Sequence, residues 1–306
     1  MQADQGNTAY RRMTPRRALE LAAPHTWPAA VVPTALGTLL ALSGGSPFRP
    51  LRFLLTLAAA VLLQSAVNTF NDLRDFLRGA DTLDNCRNPG DAAMLYGRLR
   101  PRAALALGLG FLLLAAAAGT ALSLLAGWRV WLFGAAGALG IALYAAGASD
   151  LPVGELLSGL CMGGVLPLAA CWAQAGRCGR TALYALLPSV LCVACIMLAN
   201  NTADTARDAA AGRRTLAVLL GPARAQRLLC ALLLIALLSV CALCLARFPG
   251  GWAALPPVCA GALLAARPLY LGPIGPDSRD RCMAAALGAH EWIAGGFAAA
   301  IALSLL

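Results

Sequence analysis

The chain has 306 residues, 59% hydrophobic and 12% charged, with a mean hydropathy of +0.70. Soluble domains carry about 45 to 50% apolar residues, so this composition excludes one and predicts an all-α, polytopic membrane protein, a single domain over 1–306 embedded in a lipid bilayer. The net charge of +10 comes from arginine alone, lodged mostly in the connections between apolar runs without interleaved aromatics; that excludes a nucleic-acid surface and leaves membrane orientation as the use of the charge.

Residues 1–22 are polar and Arg-rich with no small-residue cleavage site, which reads as a cytoplasmic leader before an uncleaved first span. A span needs about 20 mostly apolar residues, and about nine are predicted, at 27–43, 51–70, 103–125, 128–148, 156–174, 181–201, 224–245, 252–271 and 283–306. His25, just before Pro28, reads as part of the approach to the first span rather than as a catalyst. Tyr144 is either an interfacial anchor or a site residue. Cys192 with Cys195, and Cys241 with Cys244, have the spacing of a metal pair, but without histidine they read as small apolar residues. Eleven cysteines, an odd count, also argue against a disulfide framework. His290 and Glu291 in the last span read as a structural pair.

Short connections alternate with long charged ones at 71–102 and 202–223. A cytoplasmic N-terminus puts 18 of the 24 arginines inside, so both long connections are expected on the cytoplasmic face and the C-terminus outside.

Those two connections carry the chemistry. Asn68, Asp72 and Asp75 fall at i, i+4 and i+7 of a helix, on one face at the end of a span. Asn71, Asp81 and Asp84 accompany them. Asn200, Asp204 and Asp208 repeat the device at i, i+4 and i+8, next to Asn201. Carboxylates and carboxamides gathered at a membrane surface call for a divalent cation, and oxygen donors of this kind suit Mg2+, which keeps waters and bridges phosphates. A diphosphate is the expected partner. Arg78, Arg213 and Arg214 stand beside the two clusters to hold its oxygens, and the apolar bundle takes a lipid tail. Asp72, Asp75, Asp204 and Asp208 are the candidate catalytic carboxylates, supporting the departure of diphosphate from an allylic carbon that alkylates an electron-rich acceptor.

These motifs resemble those of the UbiA-type intramembrane prenyltransferases, above all the branch that prenylates 1,4-dihydroxy-2-naphthoate in menaquinone synthesis. The first motif of that branch is matched by Asn71, Asp72, Asp75, Gly79, Asp81 and Asp84; the second by Asn200, Asn201, Asp204, Asp208, Gly212, Thr215, Leu216, Leu220 and Gly221. They lie in order, about 130 residues apart, after the second and sixth predicted spans. Flanking similarity covers Pro24 to Pro28, Tyr144, and Leu151 to Gly159. The resemblance implies nine helices around a central, lipid-facing cavity, magnesium and a polyprenyl diphosphate held by both motifs, and an aromatic acceptor that is decarboxylated as it is prenylated. Asp81, Asp84, Tyr144 and Asn201 are candidates for acceptor binding or for support of the ligands. One departure stands out: relatives often have arginine where this chain has Ala203 and Ala209. On a continuing helix, Arg207 and Arg213 would lie one turn beyond those positions and could substitute.

Other acceptors remain open within the family: 4-hydroxybenzoate, homogentisate, haem or a glycerol phosphate. From another class, a cation-coupled transporter would place its carboxylates near the midplane on broken helices, whereas these lie at span ends.

Overall fold

A computed structural model describes residues 10–79, 82 and 92–306. The helices are α1 (Pro15–Ala22), α2 (Pro28–Ser43), α3 (Pro50–Leu77), α4 (Ala93–Gly97), α5 (Pro101–Ala126), α6 (Val130–Ala145), α7 (Gly154–Ala175), α8 (Arg180–Ala203), α9 (Thr205–Ala210), α10 (Leu216–Leu220), α11 (Pro222–Arg247), α12 (Gly251–Ala265), α13 (Arg267–Leu271) and α14 (Pro276–Leu303). Among the described residues there is no strand, only an isolated bridge between Arg11 and Leu99. Helices α1, α2, α3, α5, α11 and α14 begin on proline. A first-turn proline gives up only an N–H that has no intrahelical acceptor, so the sequence itself sets these starts.

Helices α3, α5, α7, α8, α11 and α14 are long and apolar enough to cross a membrane. The Pro15–Thr26 segment and α2 meet the same criterion only when taken together, and α6 and α12 are shorter. Every predicted span falls on helix, with some ends displaced: α3 runs on to Leu77 rather than stopping at 70, and α14 starts at Pro276 rather than 283.

The chain divides into two compact units. The first takes in 1–27 and 61–117 so far as they are described. Its core is Leu21, Leu73, Met94, Leu99 and Ala104. The presumed leader contributes to it: Thr14 caps α1 by accepting from the Arg17 N–H, and α1 buries Leu21 and Ala22. Trp27 Nε1 donates to Ser65 Oγ at 3.2 Å.

The second unit comprises 28–60 and 118–306. Its core runs through Leu36 of α2, Leu198 of α8, Leu229 and Val240 of α11, and Phe297 and Ile301 of α14. Small residues let the helices approach: a methyl group at Gly37 would collide with the backbone of Pro167, and one at Gly163 with that of Ser189 and Val190. Leu238, Leu245 and Leu264 point outward, as suits helices faced by lipid. His290 and Glu291 do not form the expected pair. Consecutive residues on a helix do not face each other, and here His290 is fully buried while Glu291 is exposed.

Candidate active site

In the first unit, α3 continues unbroken through Asp75, so Asn68, Asp72 and Asp75 do share a helical face. Asn68 Nδ2 donates to the Ala22 carbonyl at 3.0 Å and to Thr26 Oγ1 at 2.8 Å, and its Oδ1 accepts from Gln64 at 3.3 Å. Asp72 receives the Ala93 N–H at 2.9 Å and the Met94 N–H at 3.2 Å, one on each carboxylate oxygen. It therefore caps α4, where a negative charge meets unsatisfied N–H groups. Asp75 accepts from Arg74 Nε at 3.3 Å. Asn71 is half-buried and Arg78 exposed at the end of α3. Asp81 and Asp84 lie outside the described residues.

In the second unit, α8 ends at Ala203 and Asp204 leaves helical geometry with φ −96° and ψ 10°. The expected continuous helix is interrupted at this one residue, while the Asp204 N–H still reaches the Asn200 carbonyl at 3.0 Å and the Asp208 N–H that of Asp204 at 2.8 Å. Arg207 still returns to the motif: its Nη2 is 2.7 Å from Asp204 Oδ2. Helix α9 closes at Gly212, whose φ of +74° allows the Gly212 N–H to reach the Ala209 carbonyl and the Arg213 N–H to reach that of Asp208. That reversal, not helix continuation, brings Arg213 Nη1 to 3.1 Å from Asp208 Oδ1 and its Nε to 3.2 Å from Asp150 Oδ1. Arg214 donates its backbone N–H to the Asp150 carbonyl at 2.7 Å and exposes its side chain.

Asp208 is buried and its Oδ2 has no hydrogen-bond partner. Burial pushes its carboxyl above the ordinary 3.8; Arg213 opposes this, Asp204 adds to it, and Arg207 opposes it again. The oxygens of Asn200, Asp204 and Asp208, one of them an orphan, form a donor set that fits a hard cation. Among the described residues no three His, Cys, Asp or Glu side chains converge, so such an ion also needs carboxamide or non-protein oxygens.

Asn201 faces the other way, its Nδ2 donating to Glu155 Oε1 at 2.8 Å in a buried pair. Tyr144 Oη donates to Met197 Sδ at 3.6 Å. Sequence reasoning missed two members of this cluster, Asp150 and Arg279. Arg279 donates from Nη2 to Asn200 Oδ1 at 2.8 Å and from Nε to Asp204 Oδ2 at 3.3 Å. Asp150 had a faint signal, as one of only 14 acidic residues. Arg279 had none beyond its place at the start of the last span.

The model of the UbiA prenyltransferase family matches residues 30–301, which include both motifs. The chain belongs to the UbiA prenyltransferase family. A Bacillus subtilis (strain 168) relative named 1,4-dihydroxy-2-naphthoate octaprenyltransferase is 33% identical over 253 residues, 81% of this chain and 80% of its own. A Mycobacterium tuberculosis (strain ATCC 25618 / H37Rv) relative of the same name is 34% identical over 271 residues, 85% of each. The UbiA homologue from Archaeoglobus fulgidus solved with DMAPP and Mg2+ has a TM-score of 0.67 at 18% identity, covering 94% of this chain and 99% of that one. UbiA membership removes the transporter reading and, with six candidate spans, points to an integral membrane protein.

Proposed function

We infer that the protein transfers a polyprenyl group from a polyprenyl diphosphate to 1,4-dihydroxy-2-naphthoate, which loses its carboxylate as CO2, giving the polyprenyl naphthoquinol, the reduced form of demethylmenaquinone. The reading is carried by the two relatives of that name, at 33% and 34% identity over more than four-fifths of the chain. The A. fulgidus homologue solved with DMAPP, and again with GPP, each with Mg2+, supports the donor class.

Asn68, Asn71, Asp72 and Asp75 of the first motif would offer oxygen donors to magnesium, and Asn200, Asp204 and Asp208 of the second would do the same. When bound, magnesium supplies Lewis-acid neutralisation of the departing diphosphate. Arg78, Arg207, Arg213 and Arg214 provide N–H donors for the phosphate oxygens, a charge-assisted contact that gains strength as negative charge builds on the leaving group. The allylic C–O bond breaks with both electrons leaving on diphosphate, a carbon–carbon bond forms to the naphthoate ring, and the carboxylate departs. Tyr144, Asp81 and Asp84 are candidates on the acceptor side. Asn201, committed to Glu155, holds the end of α8.

Counting α2 with the segment before it, α6 and α12 beside the six long helices makes nine spans, and the reading puts both motifs on the cytoplasmic face. Membranes containing the protein, magnesium, one polyprenyl diphosphate and a panel of acceptors test the reading. 1,4-Dihydroxy-2-naphthoate is expected to give a product lighter by one CO2 than the simple adduct. Preferential use of 4-hydroxybenzoate or homogentisate would overturn the acceptor assignment.

A further inference from the structure

Arg279 and Arg207 converge on a single oxygen, Asp204 Oδ2, at 3.3 and 2.7 Å, and only 8% of the Asp204 side chain is exposed. One guanidinium is enough to neutralise a carboxylate, so the second is not there for Asp204 alone. Arg279 also occupies Asn200 Oδ1. The two oxygens it holds are thus the ones assigned above to the cation.

The carboxylates of Asp150, Asp204 and Asp208 face the guanidinium groups of Arg207, Arg213 and Arg279, so Asp204 Oδ2, an oxygen a cation would take, has guanidinium on it already. A divalent cation bound by Asp204 and Asp208 competes with these guanidinium groups for the same oxygens, and a guanidinium displaced from those carboxylates must find another anion. A diphosphate arriving with the cation supplies it. Arginine suits such an exchange because its flexible stem lets the head swing while its planar fork matches phosphate oxygens.

We propose that Arg279 is a diphosphate-binding residue that exchanges partners: it holds Asn200 and Asp204 before substrate arrives, then turns to the diphosphate when a divalent cation takes their oxygens. This rests on the prenyl-diphosphate reading above. It assigns a role to a residue 75 positions from Asp204, outside both motifs. The competing explanation is a brace that merely ties α14 to α8.

Binding separates the two without recourse to turnover. Purified protein and its Arg279→Ala, Arg279→Gln and Arg279→Lys variants are titrated with Mn2+ alone, followed by electron paramagnetic resonance, and with an unreactive prenyl thiolodiphosphate in the presence of Mg2+. Thermal unfolding is measured alongside. Arg279→Ala and Arg279→Gln are expected to weaken analogue binding roughly ten- to a hundredfold, the loss of a hydrogen bond to a charged group. Mn2+ alone should bind as tightly as in wild type or more tightly, because its competitor for Asp204 is gone. Arg279→Lys should recover part of the analogue affinity. Unchanged analogue affinity in Arg279→Gln overturns the proposal, as does a parallel loss of Mn2+ binding, analogue binding and thermal stability, the signature of a brace. Wild-type protein that fails to bind the analogue with Mg2+ refutes the donor reading and this proposal with it; normal wild-type binding with unaffected variants refutes this proposal alone.

Discussion

Asp208→Asn separates a carboxylate kept for chemistry from one kept for stability. The residue is 1% exposed, its Oδ1 accepts from Arg213 at 3.1 Å, and its Oδ2 is without a hydrogen-bond partner. Removing one member of a buried ion pair costs about 3 to 5 kcal/mol when the other charge is stranded. Here Arg213 keeps Asp150 at 3.2 Å, asparagine keeps an acceptor at Oδ1, and the buried negative charge disappears along with its desolvation penalty. The net stability loss should therefore be about 1 kcal/mol or less, a shift of about 2 to 4 °C in Tm at most. Loss of a carboxylate that holds the cation should instead lower kcat by about 10² to 10³. Thermal unfolding and steady-state prenyl transfer on the same preparation give both numbers. A Tm lowered by about 10 °C or more with activity lost in proportion, or a rate within about twofold of wild type, would refute the reasoning. The pH dependence follows from the same burial. Because the Asp208 carboxyl is raised above 3.8 by burial, the folded state holds this proton more tightly than the unfolded chain. Its contribution to stability is then greatest in acid and declines as pH rises from 3.8 through the raised value. In metal-free protein, Asp208→Asn should flatten that decline, and an unchanged pH profile of Tm contradicts the burial account.

Asp72→Ala should cost about 1 to 2 kcal/mol by freeing the Ala93 and Met94 N–H groups, on top of lost activity, with Asp72→Asn less destabilising; equal Tm values for Asp72→Ala and wild type contradict the cap. Gly212→Ala forces an L-residue to φ +74°, should cost about 1 to 2 kcal/mol, and should raise KM for the diphosphate by displacing Arg213; an unaltered Tm and KM argue against this role of the turn. In protein stripped of its eleven native cysteines, a cysteine at Gly45 or Gly250 should be labelled from outside and one at Gly79 or Gly212 should not; the reverse pattern inverts the orientation.

Helix positions were legible because long apolar runs between prolines and glycines admit few alternatives. Periodicity likewise put Asn68, Asp72 and Asp75 on one face, and α3 realises it. It could not give their partners, since Ala22, Thr26, Ala93 and Met94 come from other segments. The second motif was less legible. Its break is a departure of a single residue, Asp204, from helical geometry, with no proline or glycine beside it to announce a helix end. Arg279 was invisible for a different reason: its contact spans 75 residues and follows from how α14 packs on α8, which no local pattern encodes.

The central claim, prenyl transfer coupled to decarboxylation, is tested most directly by supplying 1,4-dihydroxy-2-naphthoate labelled in its carboxyl carbon together with a polyprenyl diphosphate and Mg2+, and counting both released products. The account predicts labelled CO2 and diphosphate in equal amounts, both lost in Asp204→Ala and on chelation of the metal. Diphosphate release without labelled CO2, or labelled CO2 without the prenyl donor, would contradict it.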